Sequence, residues 1–270
     1  MSVNLLGAVN LAAAGGEGGG FHAPEPAEFY QPLIGHGDWA FTRPMLLLVI
    51  SVGILTWWLL ATTRKASIVP GKGQWVTEGF YNFVRNDVAR DIIGSRDFLR
   101  FVPLLFALFT TILLNNLFGV IPPFQFATFG RIGFPIALTL IVFIWYHAVG
   151  IRTKGGWPYL KSMIPGGLPK PIYVLIIPLE LLTYFVTRPL TLALRLFGNM
   201  FAGHMLLLLF ITGGEYMLIH GGPVLKVAGV GSFIMGFVLT AFEALVEVLQ
   251  AYIFTLLAAT YIAGSLADEH

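Results

Sequence analysis

An all-α membrane protein of five membrane crossings, the last two long, tilted and bent, with an added interfacial amphipathic helix, is the fold the sequence predicts. Three observations lead to it. Of 270 residues, 56% are hydrophobic and 11% charged, against roughly 25% charged in an ordinary soluble domain. Five apolar blocks reach the length of about 20 residues that a helix needs to cross a hydrocarbon core about 30 Å thick. Lys and Arg gather in two loops, 63–97 and 152–171, as they do on the cytoplasmic side of a membrane.

Residues 1–43 are read as a flexible extracytoplasmic tail, and 44–270 as a single transmembrane domain. In the tail, LLGAVNLAAAG has no basic flank of the kind a signal peptide carries. GGEGGG at 15–20 has neither strand nor helix beside it, so it reads as a linker rather than a phosphate loop. The first span is Pro44 to Thr62, followed by a loop with Arg64, Lys65, Lys72, Arg85, Arg90 and Arg96. Within that loop, residues 74–97 place Trp75, Phe80, Phe83, Val84, Val88 and Ile92 at helical spacing. Two readings are open for this segment: an amphipathic helix in the membrane interface, or a packing helix of a soluble loop.

The second and third spans are Phe98 to Gly119 and Ile132 to Ile151. The connector 120–131 carries only Arg131 and belongs outside. The loop 152–171 carries Arg152, Lys154, Lys161 and Lys170 with no acid, and belongs inside. The last two blocks, Ile172 to Thr212 and Val224 to Gly264, would each run roughly 60 Å as helix, about twice the hydrocarbon thickness. Each is two upright spans or one long tilted course. The connector 213–223 holds Glu215 and His220 but no Lys or Arg, so it lies outside and the block before it crosses an odd number of times. One long crossing satisfies this, with Pro178 and Pro189 as candidate bends. The final block is then a single crossing that ends inside at Asp268, Glu269 and His270.

Composition also narrows function. A net charge of +2 with scattered basic residues leaves no nucleic-acid footprint. With no cysteine, disulfides and thiolate metal sites are excluded. There is no HExxH, GxSxG or Walker motif, and the six histidines are dispersed without metal-ligand spacing. Neither a cofactor nor ordinary enzyme chemistry is expected.

Function is carried by charges inside the apolar blocks. Arg195 stands in LALRLFGNMFAGH (192–204), with no acid between Glu180 and Glu215. An arginine at membrane depth costs about 3 kcal/mol even on the lenient insertion scale, so it needs water or a partner charge. Offsets of seven and four put Arg188, Arg195 and Asn199 on one helix face, whereas His204 looks to the opposite side. In the last block Glu243, Glu247 and Gln250 repeat that spacing, with Thr240 and Tyr261 extending the stripe. Bland readings stand beside these: Arg188 snorkels or sets a bend, Asn115 and Asn116 bond neighbouring helices, and His147 sits in an interfacial belt with Trp145 and Tyr146. For Arg195 and the two glutamates, transport of a small cation is the better reading. The competing class is a secondary transporter of a small anionic solute with Arg195 as counter-ion; such folds are commonly built from repeated halves, and no repeat is seen.

The runs LRLFGNMFAGH (194–204), FEALVEVLQAYIFTLLAATYIAGSLADEH (242–270) and NNLFGVIP (115–122) together resemble subunit a of the F-type ATP synthases, over nearly the whole chain apart from the tail. The resemblance implies the stator of a rotary proton motor in a bacterial plasma membrane, non-catalytic by itself. Its partners would be the c-subunit ring, b-type peripheral stalk subunits, membrane lipid and protons. Arg195 matches the essential arginine that faces each passing c-subunit carboxylate and blocks proton leak. Asn199 and Gln250 match its flanking positions. His204, Glu243, Glu247, Asn199, Gln250 and Asn116 are the pathway candidates, with Arg188 and Tyr261 as weaker ones. Many bacterial relatives carry an acid nine residues after the arginine and a histidine seven before the glutamine. Here the pair is exchanged, as His204 and Glu243. The inner-channel acid of the family falls at Leu181, and Glu180 is one residue out of register.

Overall fold

The structure, a computed structural model, describes residues 21, 32–34, 41–64, 66–121, 128–164 and 169–267. Most of the expected tail, its glycine-rich linker and the terminal Asp268 to His270 lie outside the described residues. Among the described residues, five helices are long and apolar enough to cross a membrane: Arg43–Thr63, Val102–Val120, Gly133–Lys154, Pro171–His220 and Pro223–Leu266. The all-helical multi-pass architecture expected from composition is therefore present. A short antiparallel pair precedes the first helix, with β1 (Pro32–Ile34) pairing with β2 (Phe41–Thr42) across a bulge between Pro32 and Ile34.

The first span is α1 (Arg43–Thr63), which Pro44 opens. Proline suits a first turn because the N–H it lacks would have no intrahelical partner there. The predicted amphipathic segment is helical over 72–93, as α2 (Lys72–Asn82), a π-helical stretch Phe83–Arg90, and α3 (Asp91–Ile93). Its two halves differ. Trp75 and Phe80 are exposed, while Val84, Val88 and Ala89 are fully buried. The segment thus enters the core at one end and presents an apolar face outward at the other. Gly94 ends it with a φ of 91°, a left-handed conformation suited to glycine.

The second span starts later than its apolar block. Phe98–Arg100 forms a separate 3₁₀ turn, and α4 (Val102–Val120) begins where Pro103 occupies the first turn. The third span is α5 (Gly133–Lys154), joined through Gly155 to a short α6 (Gly156–Ser162). A β-carbon at Gly150 would collide with the ring of Tyr159, so Gly150 is what allows α6 to fold back on α5. Lys154 Nζ donates to Ala267 O, which ties the end of the chain to this same basic corner.

The fourth span is one continuous helix of 50 residues. Counted from Pro171, it consists of α7 (Lys170–Leu182) without its first residue, a π-helical stretch Thr183–Thr187, and α8 (Arg188–His220). The π stretch lies just ahead of Pro189, which has no N–H to donate to the carbonyl four residues back, at Phe185. Loosening of the helix at that point has the cause that proline always supplies. The connector expected over 213–223 contracts to a tight turn: α8 runs to His220, and only Gly221 and Gly222 separate it from α9 (Pro223–Leu266). Gly213 and Gly214 do not stop the helix because Gly214 serves contact between helices instead. A β-carbon there would lie 3.3 Å from Gly229 O, and one at Gly229 would lie 3.0 Å from Gly214 O.

The α8–α9 hairpin is the spine of the molecule. α4 packs on α9, α5 packs on both hairpin helices, and α1 lies outside α4. The main apolar core fills the basic end, from Ala251, Phe254, Ala258 and Ile262 of α9, Phe101, Leu105 and Ile112 of α4, and Val84 and Val88 of the π stretch. By contrast the first half of α9 exposes Val224, Val227 and Phe237, an apolar surface fit for lipid or a partner helix.

Candidate functional site

One face of α9 explains why its polar residues are buried. Glu243, Glu247, Gln250, Phe254, Ala258 and Ile262 recur at spacings of three and four, so they share a single stripe. Toward the end of the helix that stripe is the apolar core. Nearer its middle the same stripe is polar, and Glu243 (6% exposed), Glu247 (3%) and Gln250 (2%) are held against α4 and α8. Among the described residues none of the four carboxylate oxygens has a hydrogen-bond partner. Burying such groups dry is very costly, so the site calls for water or a proton.

Two glycines admit the carboxylates. A β-carbon at Gly119 of α4 would sit 2.7 Å from Glu247 Oε1, and one at Gly203 of α8 would sit 2.7 Å from Glu243 Oε1. Asn116, fully buried one turn before Gly119, donates from Nδ2 to the carbonyl of Glu247 at 2.9 Å. Between α4, α8 and α9 lies a cavity of about 260 Å³ lined in part by Asn116, Asn199, Glu243, Glu247 and Gln250. Five of the six pathway candidates thus meet at one hollow.

The sixth, His204, is buried on α8 beside Gly203, in the same layer as Glu243. No hydrogen bond joins it to that carboxylate. Arg195 lies nine residues earlier and is exposed on the opposite face of α8, as the half-turn offset requires. Among the described residues it meets no acid and no hydrogen-bond partner. Asn199, one turn on, is exposed as well and donates from Nδ2 to Gln250 Oε1 at 2.8 Å. That bond links the arginine's face to the cavity.

The weaker candidates stand nearer the basic end. Arg188 lies over the ring of Tyr184 at 3.5 Å and 5.3 Å from that of Tyr261. Glu180 is half-buried on α7. Around Arg188 the sequence reading missed an aromatic group. Tyr146, 2% exposed, donates its hydroxyl to Tyr184 O at 2.9 Å, and Tyr159 is 3% exposed. Burial pushes the Tyr159 phenol up to about 12, so it stays protonated. Trp145 faces outward, whereas the half-buried imidazole of His147 packs on Phe143, Tyr146, Phe185 and Tyr159. The signal for this group was the i,i+1 pair of Tyr146 and His147, whose facing cannot be read without the helix phase. Among the described residues no group of three His, Asp or Glu could hold a metal ion.

With this geometry in hand, known proteins supply the context. A family model described as ATP synthase A chain matches residues 45–263. A protein named ATP synthase subunit a from a Nocardioides species is 48% identical over 94% of this chain and 96% of its own. Another of that name from Pseudarthrobacter chlorophenolicus is 41% identical over 97% of this chain and 100% of its own. A third, from Streptomyces lividans, is 38% identical over 94% and 91%.

Proposed function

The chain belongs to the ATP synthase A chain family, and on that premise we propose that it is the stator subunit that conducts protons past a ring of c subunits. The observation that carries this reading is the disposition of Arg195, exposed and without a partner on an apolar helix face, while two unpartnered carboxylates lie buried on the far side of the same helix. A bare guanidinium at that depth fits a charge presented from outside the chain.

The mechanism follows from elementary electrostatics. A carboxylate carried toward Arg195 is favoured in its ionised form by the nearby positive charge, so it gives up its proton. The guanidinium cannot surrender a proton of its own, so it does not relay one and it blocks direct leakage. Entry from outside uses the cavity: Glu243 and Glu247, with His204 beside them and Asn116 and Gln250 bonding at its edges, offer titratable and polar stations in a hollow with room for water. Asn199, bonded to Gln250, lies where a proton leaves the cavity for the ring. Exit to the other side runs toward Arg188, Tyr261 and Glu180. In this reading the exchanged pair, His204 and Glu243, keeps one imidazole and one acid in the entry route.

The subunit itself holds no catalytic role: it couples proton flow to rotation, and ATP chemistry belongs to other subunits. Residues 44–270 form the membrane domain, 1–43 the outer tail, and the chain ends in the cytoplasm of a bacterium. The c ring and b-type stalk subunits are its partners. The test is Arg195→Ala in the complete complex reconstituted in vesicles. Proton-driven ATP synthesis should fall to background; coupled synthesis at the original rate overturns the reading.

A further inference from the structure

Between the cavity and the basic end lies the aromatic group around His147, which the proposed entry route does not use. His147 Nδ1 lies 3.1 Å from Phe143 O. A carbonyl only accepts, so Nδ1 must carry the hydrogen, and in the neutral ring Nε2 is then a bare lone pair. That Nε2 is buried and, among the described residues, has no hydrogen-bond partner. Neither has the hydroxyl of Tyr159, whose ring stands edge-on to His147 with centroids 5.8 Å apart. Two orphaned polar atoms in one apolar cluster are costly unless they serve something.

The surroundings say what. Phe143, Tyr146, Phe185 and Tyr159 surround the imidazole, and Arg188, Tyr184 and Tyr261 flank it through Tyr146. Among the described residues no carboxylate takes part in these contacts, and no group of three His, Asp or Glu could hold a metal ion. Arg188 lies seven residues before Arg195, about 10 Å along the helix, in the direction of Lys154 and Lys161. The cluster therefore sits between the exposed arginine and the basic end of the bundle.

We propose that His147 is a proton-relay residue on the inner side, taking up on Nε2 a proton released near Arg195 and passing it to water at the basic end. This rests on the function proposed above. The step is balanced: an N–H bond forms at Nε2 as the donor loses its proton, the imidazolium keeps its Nδ1–H on the Phe143 carbonyl, and the same Nε2–H bond then breaks to water. Tyr159 is a positioning residue that closes one side of the ring, seated on Gly150.

His147→Phe separates relay from packing, because a fifth phenyl-type ring suits the cage of four aromatic rings and preserves the fold. In vesicles holding the complete complex, with assembly checked by subunit content and ATP hydrolysis by the catalytic sector, passive proton conduction should fall by about tenfold or more. His147→Gln, which keeps a hydrogen bond but cannot be protonated in this range, should fall likewise. Conduction within about twofold of the original in either variant overturns the proposal, since general acid–base transfer is worth far more. Arg195→Ala in the same preparation keeps the two readings apart. If it loses coupling while His147→Phe conducts normally, only the relay fails; if it remains coupled, the stator reading itself fails.

Discussion

At the residue scale, the positions that shape the cavity are the ones without side chains. Gly119 leaves the space that Glu247 Oε1 fills, and a β-carbon there would approach to 2.7 Å. The atom in conflict is the far end of a flexible chain, so Gly119→Ala should displace the carboxylate rather than unfold α4. The expected outcome is a well-assembled complex whose proton conduction falls about tenfold, since a misplaced transfer group loses most of its effect. Conduction at the original rate with correct assembly would separate Glu247 from the route. The acids themselves were legible, because Glu243, Glu247 and Gln250 repeat helical spacing in an apolar run. Gly119 was not, although it stood inside NNLFGVIP, because a glycine gives no sign in a sequence of which side chain will occupy its space. The packing of His147 was hidden for a related reason: adjacent aromatic residues on a helix point in different directions, and only the helix phase says which faces inward.

At the element scale, charge parity and length were enough to make each overlong block a single crossing, and the helices of 50 and 44 residues agree. The turn between them is shorter than the expected connector 213–223, because α8 continues through Gly213 and Gly214, and glycines also permit helices to touch. Gly214 and Gly229 are the touching pair. Gly229→Leu would drive a side chain against Gly214 O at 3.0 Å and Leu218 Cγ at 2.9 Å, and one of these is backbone that cannot swing away. Overpacking of this kind costs about 1–3 kcal/mol. The turn end of the hairpin should splay, and the subunit should be extracted from the complex at lower detergent or denaturant than the parent; unchanged extraction would show that the close approach is dispensable. The π stretch at Thr183–Thr187 was legible only as a proline bend. Its detailed form depends on which neighbours receive the carbonyl that Pro189 leaves without a donor.

At the scale of the whole molecule, spans of unequal length must share one bilayer. α1, with 21 residues, extends about 32 Å and matches the hydrocarbon core nearly upright. α9, with 44 residues, extends about 66 Å, and burying its whole length needs a tilt of roughly 60° from the membrane normal. The proposed orientation puts the α8–α9 turn outside and the corner of Lys154, Lys161 and Ala267 inside, so the tilted hairpin carries the route from one face to the other. The natural chain has no cysteine, which makes this testable without background. Lys226, at the start of α9, and Lys161, on α6, are both exposed. In right-side-out vesicles a membrane-impermeant maleimide should label Lys226→Cys and leave Lys161→Cys untouched, and inverted vesicles should exchange the two results. The opposite pattern would invert the bundle. It would place the cavity of Glu243 and Glu247 on the cytoplasmic side, so that the entry and exit routes exchange sides of the membrane.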